Sequence, residues 1–153
     1  SMSWRVMIAK NGQEAVDEVK QSHNQILCVF MDCNMPIKDG WSATREIRDW
    51  EGSAPFVLPI VACTANAMRG DSDKCAESGM SLYVSKPVKR SALAWAINSC
   101  TRMGGATNDS LTWQPSAEVE VLKPKYPSHL VDERAAKQQI GAIMARLVGS
   151  GAS

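Results

Sequence analysis

Ile26-Leu27-Cys28-Val29-Phe30-Met31 runs without a break into Asp32-Cys33-Asn34-Met35-Pro36, and then into Ile37-Lys38-Asp39-Gly40. An unbroken apolar run ended by an acid and a Pro/Gly loop has the form of a strand buried on both faces of a parallel sheet. In open α/β sheets the chemistry collects in the loops at the carboxyl ends of the strands. Asp32 stands at that point, which makes it the first candidate for a reactive group.

Outward from this stretch, strand and helix signals alternate. Trp4 to Ile8 is a short β-prone run, followed by Asn11-Gly12 and a helix with Ala15, Val16 and Val19 on one face. Asn11 with Glu14 three residues later has the form of a capping box. Past Gly40, a helix places Trp41, Thr44, Ile47 and Trp50 on one face, and Phe56 to Cys63 is the next strand, with Pro59 suited to an early position in it. Ala65 to Ser78 reads as a helix stopped by Gly79, Leu82 to Ser85 as a short strand, and Ser91 to Cys100 as a closing helix. This βα repeat predicts an α/β fold, a parallel sheet with helices on both faces and right-handed crossovers. Residues 1–100 form the body of one domain. Residues 101–128, with Gly104-Gly105, Pro115, Pro124 and Pro127, read as a long linker. Order returns over 129–149: Leu130-Val131 is a minimal strand reaching Asp132-Glu133, and Ala136, Ile140, Ile143, Met144 and Leu147 recur at helical spacing.

Composition narrows the class. At 153 residues, 44% hydrophobic and 22% charged, the chain suits one globular domain. A net charge of +1 without a basic stripe implies neither nucleic acid nor a membrane surface as partner. No stretch resembles a transmembrane span or a signal peptide, and the five cysteines lack C-x-x-C spacing, so reduced thiols in an intracellular (cytoplasmic) setting are expected. Ser1-Met2 has the form of a cloning remnant, which would start the numbering inside a larger parent.

The chemistry follows from strand ends. Asp32, Thr64 and Lys86 each follow an expected strand, and in a parallel sheet those ends lie side by side. A carboxylate, a hydroxyl and an ammonium meeting in one crevice can accept a phosphoryl group: the carboxylate attacks while the other two hold the transferred oxygens. Two anions are thereby brought together, and Mg²⁺ held by further carboxylates is the usual remedy. Each residue has a plainer reading beside this one. Asp32 could be a turn former or helix cap, Thr64 a cap for the next helix, Tyr83 ordinary strand packing, and Asp132 and Glu133 solvated charges. Cys33 reads as a neutral occupant of its position, His23 and His129 as surface residues.

Met31-Asp32-Cys33-Asn34-Met35-Pro36 with Asp39-Gly40, then Thr64-Ala65-Asn66-Ala67-Met68, then Tyr83 and Lys86-Pro87, resemble in order and spacing the receiver domains of two-component response regulators and hybrid histidine kinases. The resemblance covers roughly residues 4–100. It implies a flavodoxin-like, doubly wound five-stranded parallel sheet in three α/β/α layers. Asp32 would be the phosphoacceptor, Thr64 the switch hydroxyl, Tyr83 the rotating aromatic and Lys86 the phosphate-binding cation, with a cis Lys86-Pro87 bond. Mg²⁺ would be bound by Asp32, Glu133 and the Asn34 backbone carbonyl, with Asp132 acting through water. The phosphoryl group would come from phosphohistidine on a sensor histidine kinase or histidine phosphotransfer protein. Such a module is no stand-alone enzyme beyond phosphoryl transfer to its own Asp32, although a hybrid kinase could contain it. A pseudo-receiver that keeps the fold as an interaction scaffold is the alternative of a different class. An aspartyl-phosphate phosphatase would want a second Asp at Asn34.

One departure stands out. Family members begin with a strand ending in two acids and then a helix, and nothing ahead of Trp4 supplies them. Leu130-Val131-Asp132-Glu133 followed by Arg134 to Gly149 looks like that missing unit at the opposite end, so a circularly permuted receiver is expected. Three rivals stay open: the opening of a second receiver, a domain-swapped dimer in place of a monomer, or an amphipathic helix with an accidental Asp-Glu.

Overall fold

The computed structural model describes residues 5–52, 57–65, 69–103, 119–121 and 141–145. Strands and helices alternate through its body: β1 (Arg5–Ala9), α1 (Gly12–Ser22), β2 (Ile26–Asp32), α2 (Gly40–Glu51), β3 (Ile60–Thr64), α3 (Arg69–Ser78), β4 (Leu82–Ser85) and α4 (Arg90–Met103). Two later strands follow, β5 (Val119–Val121) and β6 (Gly141–Ala145). They form one sheet in the order β1-β6-β2-β3-β4-β5, parallel throughout except for the antiparallel pairing of β5 with β4.

All seven residues of β2 are buried, as a two-sided apolar run requires. Alternate side chains enter different layers. Val29 and Met31 join Ala15, Val16 and Val19 of α1, Ala43 and Ile47 of α2, and Cys75 of α3. Cys28 and Phe30 join Val61, Cys63, Leu82 and Val84 against Ala92, Ala96 and Cys100 of α4. Three helices on one face and one on the other give the expected layered α/β architecture. Each fully buried Phe, Ile or Leu here contributes about 1.5–3 kcal/mol relative to exposure.

Caps fix where the helices start. Asn11 accepts from the Glu14 backbone N–H at 2.9 Å, while the Glu14 carboxylate takes the Lys10 N–H at 2.8 Å, so only half of the expected capping box is made. Asp39 caps α2, accepting from Ser42 N at 2.7 Å. The buried face of α2 is Gly40, Ala43, Thr44, Ile47, Arg48 and Glu51, and not the row running through Trp50, which is 45% exposed. A polar clasp explains the rotation. Buried Arg48 donates to Gly79 O at 2.9 Å, Leu58 O at 2.9 Å and Glu51 Oε2 at 2.6 Å, and Glu51 accepts the Leu58 N–H at 2.9 Å. The clasp satisfies charges that hydrophobic periodicity alone assigns to solvent.

The structure departs from the sequence reading in several places. β3 starts at Ile60, directly after Pro59, whose carbonyl accepts from Val29 N at 2.9 Å. Proline has no N–H to give the ladder but can still accept, so it closes the strand's entry. α4 runs on through Met103 into the expected linker, and Val119–Val121 in that linker is a strand. The sheet therefore has six strands among the described residues, not five, and is not wholly parallel. The largest departure is in the tail, where Gly141–Ala145, expected in a helix, is a strand between β1 and β2. A short apolar segment such as Gly-Ala-Ile-Met-Ala does not distinguish a central strand from a buried helix by periodicity, and here two open strand edges decide. Leu130-Val131, Asp132 and Glu133 lie outside the described residues, as do Trp4, Phe56 and 66–68. No helix among the described residues is long and apolar enough to cross a membrane.

Candidate functional site

The parallel registers bring the expected residues together. Asp32 pairs with Cys63, the residue before Thr64, and Thr64 pairs with Ser85, the residue before Lys86. Asp32 is 5% exposed and Thr64 is buried. Lys86 Nζ donates to Asp32 Oδ2 at 2.6 Å, and the Asn34 N–H donates to Asp32 Oδ1 at 2.9 Å. Both carboxylate oxygens are thus held. The backbone N–H of Lys86 donates to Thr64 O at 2.7 Å, and the Lys86–Pro87 bond is cis, as the resemblance implies. Tyr83, 5% exposed, packs in the layer of α1, α2 and α3.

Backbone contacts position the loop after Asp32. Cys33 N–H donates to Cys63 O at 3.0 Å and Gly40 N–H to Cys33 O at 3.0 Å, folding the loop back so that α2 starts against the end of β2. Ile37 has φ +69°, and Lys38 N–H donates to Pro36 O at 2.7 Å, a γ-turn centred on a β-branched residue. Such a residue in the left-handed region costs of order 1 kcal/mol or more. The turn brings the Lys38 carbonyl to the Gly12 N–H at 3.1 Å. A Cβ on Gly12 would stand 2.4 Å from Lys38 O, and one on Gly40 2.2 Å from Asp32 O, so both positions require glycine. Sequence reading placed Gly12 and Gly40 in turns without seeing that they admit a backbone. The signal was there, a Gly opening each helix directly behind its cap.

Burial and hydrogen bonding hold the Cys63 and Cys33 thiols protonated. Burial pushes the Cys63 thiol up to about 12; the Lys86 ammonium opposes this and the Asp32 carboxylate adds to it. Cys33 is pushed far above the ordinary thiol value, first by its hydrogen bond with Cys75 and then by burial. Sequence reading did not anticipate the Cys33–Cys75 contact, since the two lie on separate elements.

Asp32 and the Asn34 carbonyl are hard oxygen donors of the kind Mg²⁺ takes. Among the described residues no group of three or more His, Cys, Asp or Glu side chains could hold a metal ion. The described donors suit Mg²⁺ in type and fall short in number, and Asp132 and Glu133 are outside the described residues.

The sequence profile of the response regulator receiver domain matches residues 1–98. The hybrid signal transduction histidine kinase I of Dictyostelium discoideum is 41% identical over 97 residues, which is 61% of this chain and 6% of that protein. The chain therefore spans a small fraction of that relative. The receiver domain of a sensor histidine kinase from Pseudomonas aeruginosa, solved with magnesium in its active site cleft, is similar at 39% identity and a TM-score of 0.54, over 62% of this chain and 75% of that one. The Saccharomyces cerevisiae receiver domain of Ssk1, crystallised with the histidine phosphotransfer protein Ypd1, gives 37% identity and a TM-score of 0.58, over 71% and 78%.

Proposed function

This chain belongs to the response regulator receiver domain family, and from that premise we propose that it accepts a phosphoryl group from phosphohistidine onto Asp32 in a two-component phosphorelay. The observation that carries the reading is the 2.6 Å contact of Lys86 with Asp32 beside buried Thr64, at the ends of adjacent parallel strands. An Asp32 oxygen bonds to phosphorus as the P–N bond to the donor imidazole breaks, and the electron pair leaves on that nitrogen. Lys86 moves from Asp32 Oδ2 to a phosphoryl oxygen, keeping its ion pair with the new dianion. The Thr64 hydroxyl turns to another phosphoryl oxygen, and Tyr83 follows into the space vacated, which alters the surface over residues 65–88.

Asp32, the Asn34 carbonyl and Glu133 would hold Mg²⁺, with Asp132 acting through water. The ion would neutralise charge as the two anions approach. The tail, residues 129–149, completes the domain in permuted order. Sheets of this kind run 2-1-3-4-5, and β6 supports this reading by its position between β1 and β2. Its source is Gly141–Ala145, so Asp132-Glu133 does not end that strand; Arg146 follows it instead. The partner is a histidine phosphotransfer protein or a sensor kinase.

The alternative reading is a pseudo-receiver that keeps the fold as an interaction scaffold without phosphotransfer. Incubation with a phosphorylated histidine phosphotransfer protein separates the two. Transfer of label to wild type and not to Asp32→Ala supports the relay. Retention of all label on the donor, at every Mg²⁺ concentration, supports the scaffold. Unchanged Mg²⁺ dependence in Glu133→Ala would remove the tail from the metal site.

A further inference from the structure

Two thiols the phosphoryl chemistry does not use lie in contact behind the site. Cys33, the residue after Asp32, and Cys75, in the middle of α3, are both fully buried with their sulfurs 3.7 Å apart. They come from elements 42 residues apart in sequence (75 − 33). A disulfide has an S–S length of about 2.05 Å, so the sulfurs need to close by about 1.7 Å. Cys75 also accepts a hydrogen bond from Trp41 Nε1 at 3.4 Å, and Lys74 Nζ lies 3.8 Å from the centroid of that same indole ring.

We propose that Cys33 and Cys75 form a peroxide-oxidisable dithiol, whose disulfide staples the end of the phosphoacceptor strand to α3. Cys75 is the first to react. Its hydrogen bond with Cys33, the Trp41 N–H that donates to its sulfur and the Lys74 ammonium together lower the Cys75 thiol below its ordinary value, against burial and the Asp71 carboxylate. Thiolate, not thiol, is the nucleophile toward peroxide. The Cys75 sulfur attacks one peroxide oxygen, the O–O bond breaks and hydroxide leaves, so Cys75 becomes a sulfenic acid. The Cys33 sulfur then attacks the Cys75 sulfur, the S–O bond breaks, and the hydroxyl departs as water with the Cys33 proton. Two thiols are oxidised to one cystine and one peroxide is reduced. Because both sulfurs are buried, the first step proceeds through local opening of the helix layer and is slower than at a surface thiol.

The consequence for signalling rests on the receiver reading, whereas the linkage does not. The bond would fix α3 to the residue beside Asp32, and α3 directly follows the Thr64 segment whose inward movement the switch requires. Oxidation would therefore restrain the switch without occupying the site.

The test treats the whole chain with hydrogen peroxide and maps peptides without reduction. The expected result is one Cys33–Cys75 cystine, a mass lower by two hydrogen atoms, and a fall in free thiols from five to three (5 − 2), all restored by dithiothreitol. Cys75→Ser and, independently, Cys33→Ser abolish the linkage, while Cys28→Ser leaves it. A cystine between any other pair, or irreversible oxidation of Cys75 with Cys33 still free, overturns the site. Phosphorylation of Asp32 by acetyl phosphate is expected to slow at least threefold in the oxidised protein and recover on reduction. A linked protein phosphorylated at the reduced rate overturns the coupling, and this reads separately from a failure of Asp32 to be phosphorylated in either state.

Discussion

Gly40→Ala tests how the fold builds the site. A Cβ there would lie 2.2 Å from the Asp32 carbonyl oxygen and 3.0 Å from both Asp32 C and Cys33 Cα, while real Cβ atoms essentially never come within 3.0 Å. All of these neighbours are backbone, so no side chain can swing away. The end of β2 and the first turn of α2 must separate by about 0.8 Å (3.0 − 2.2). Overpacking of this kind costs roughly 1–3 kcal/mol. Stretching the Gly40–Cys33 hydrogen bond adds about 1 kcal/mol, and the reduced freedom of the unfolded chain returns about 0.4–1 kcal/mol. The net is a loss of about 1–3 kcal/mol, read by urea unfolding followed by tryptophan fluorescence. Displacing Asp32 by most of an ångström also slows phosphorylation by acetyl phosphate by about tenfold or more. Gly70→Ala is the control: nothing lies within 4 Å of a Cβ there, so no loss of stability is expected. Wild-type stability and rate in Gly40→Ala would refute the claim that a close backbone approach sets the Asp32 position.

Three further outcomes follow from the same geometry. Arg48→Ala takes the guanidinium from buried Glu51, which keeps only His23 and the Leu58 N–H, and opens two carbonyl contacts, so denaturant unfolding should show a loss of about 3–5 kcal/mol; a loss below 1 kcal/mol contradicts the clasp. Burial raises the Glu51 carboxyl, but its bonds to His23, Arg48 and the Leu58 N–H outweigh that and hold it below its ordinary value of 4.5. Its contribution is therefore complete above that value and lost as pH falls through the lower, folded one. Wild type should lose more stability than Glu51→Gln between pH 6 and pH 3, and parallel pH curves would count against the assignment. Lys86→Gln removes the cation at Asp32 Oδ2 and should slow phosphorylation by about 10²-fold or more with an unchanged far-UV spectrum; a rate within threefold of wild type would dismiss Lys86 from the transfer.

The body of the fold was legible because its signals were local and agreed. The buried run of β2, the Asn11 cap, the stop at Gly79 and the proline ahead of β3 each follow from a few neighbouring residues. The meeting of Asp32, Thr64 and Lys86 was legible because parallel pairing brings those strand ends together once the strands are known. What was not legible depends on partners distant in sequence. Arg48 and Glu51 turn the buried face of α2 away from Trp50 because Leu58 and Gly79 offer polar groups, which helical periodicity does not register. Cys33 and Cys75 meet only after α3 is laid on the sheet. Gly141–Ala145 becomes a strand because β1 and β2 leave a gap between their edges, a condition set by the assembled sheet and not by the segment.

The most direct measurement is intact mass after incubation of the chain with acetyl phosphate and Mg²⁺. A single phosphoryl-sized adduct on wild type, lost on removal of Mg²⁺ and absent from Asp32→Ala, is the predicted result. No adduct at any Mg²⁺ concentration, or an adduct that persists in Asp32→Ala, would contradict the assignment of Asp32 as the phosphoacceptor.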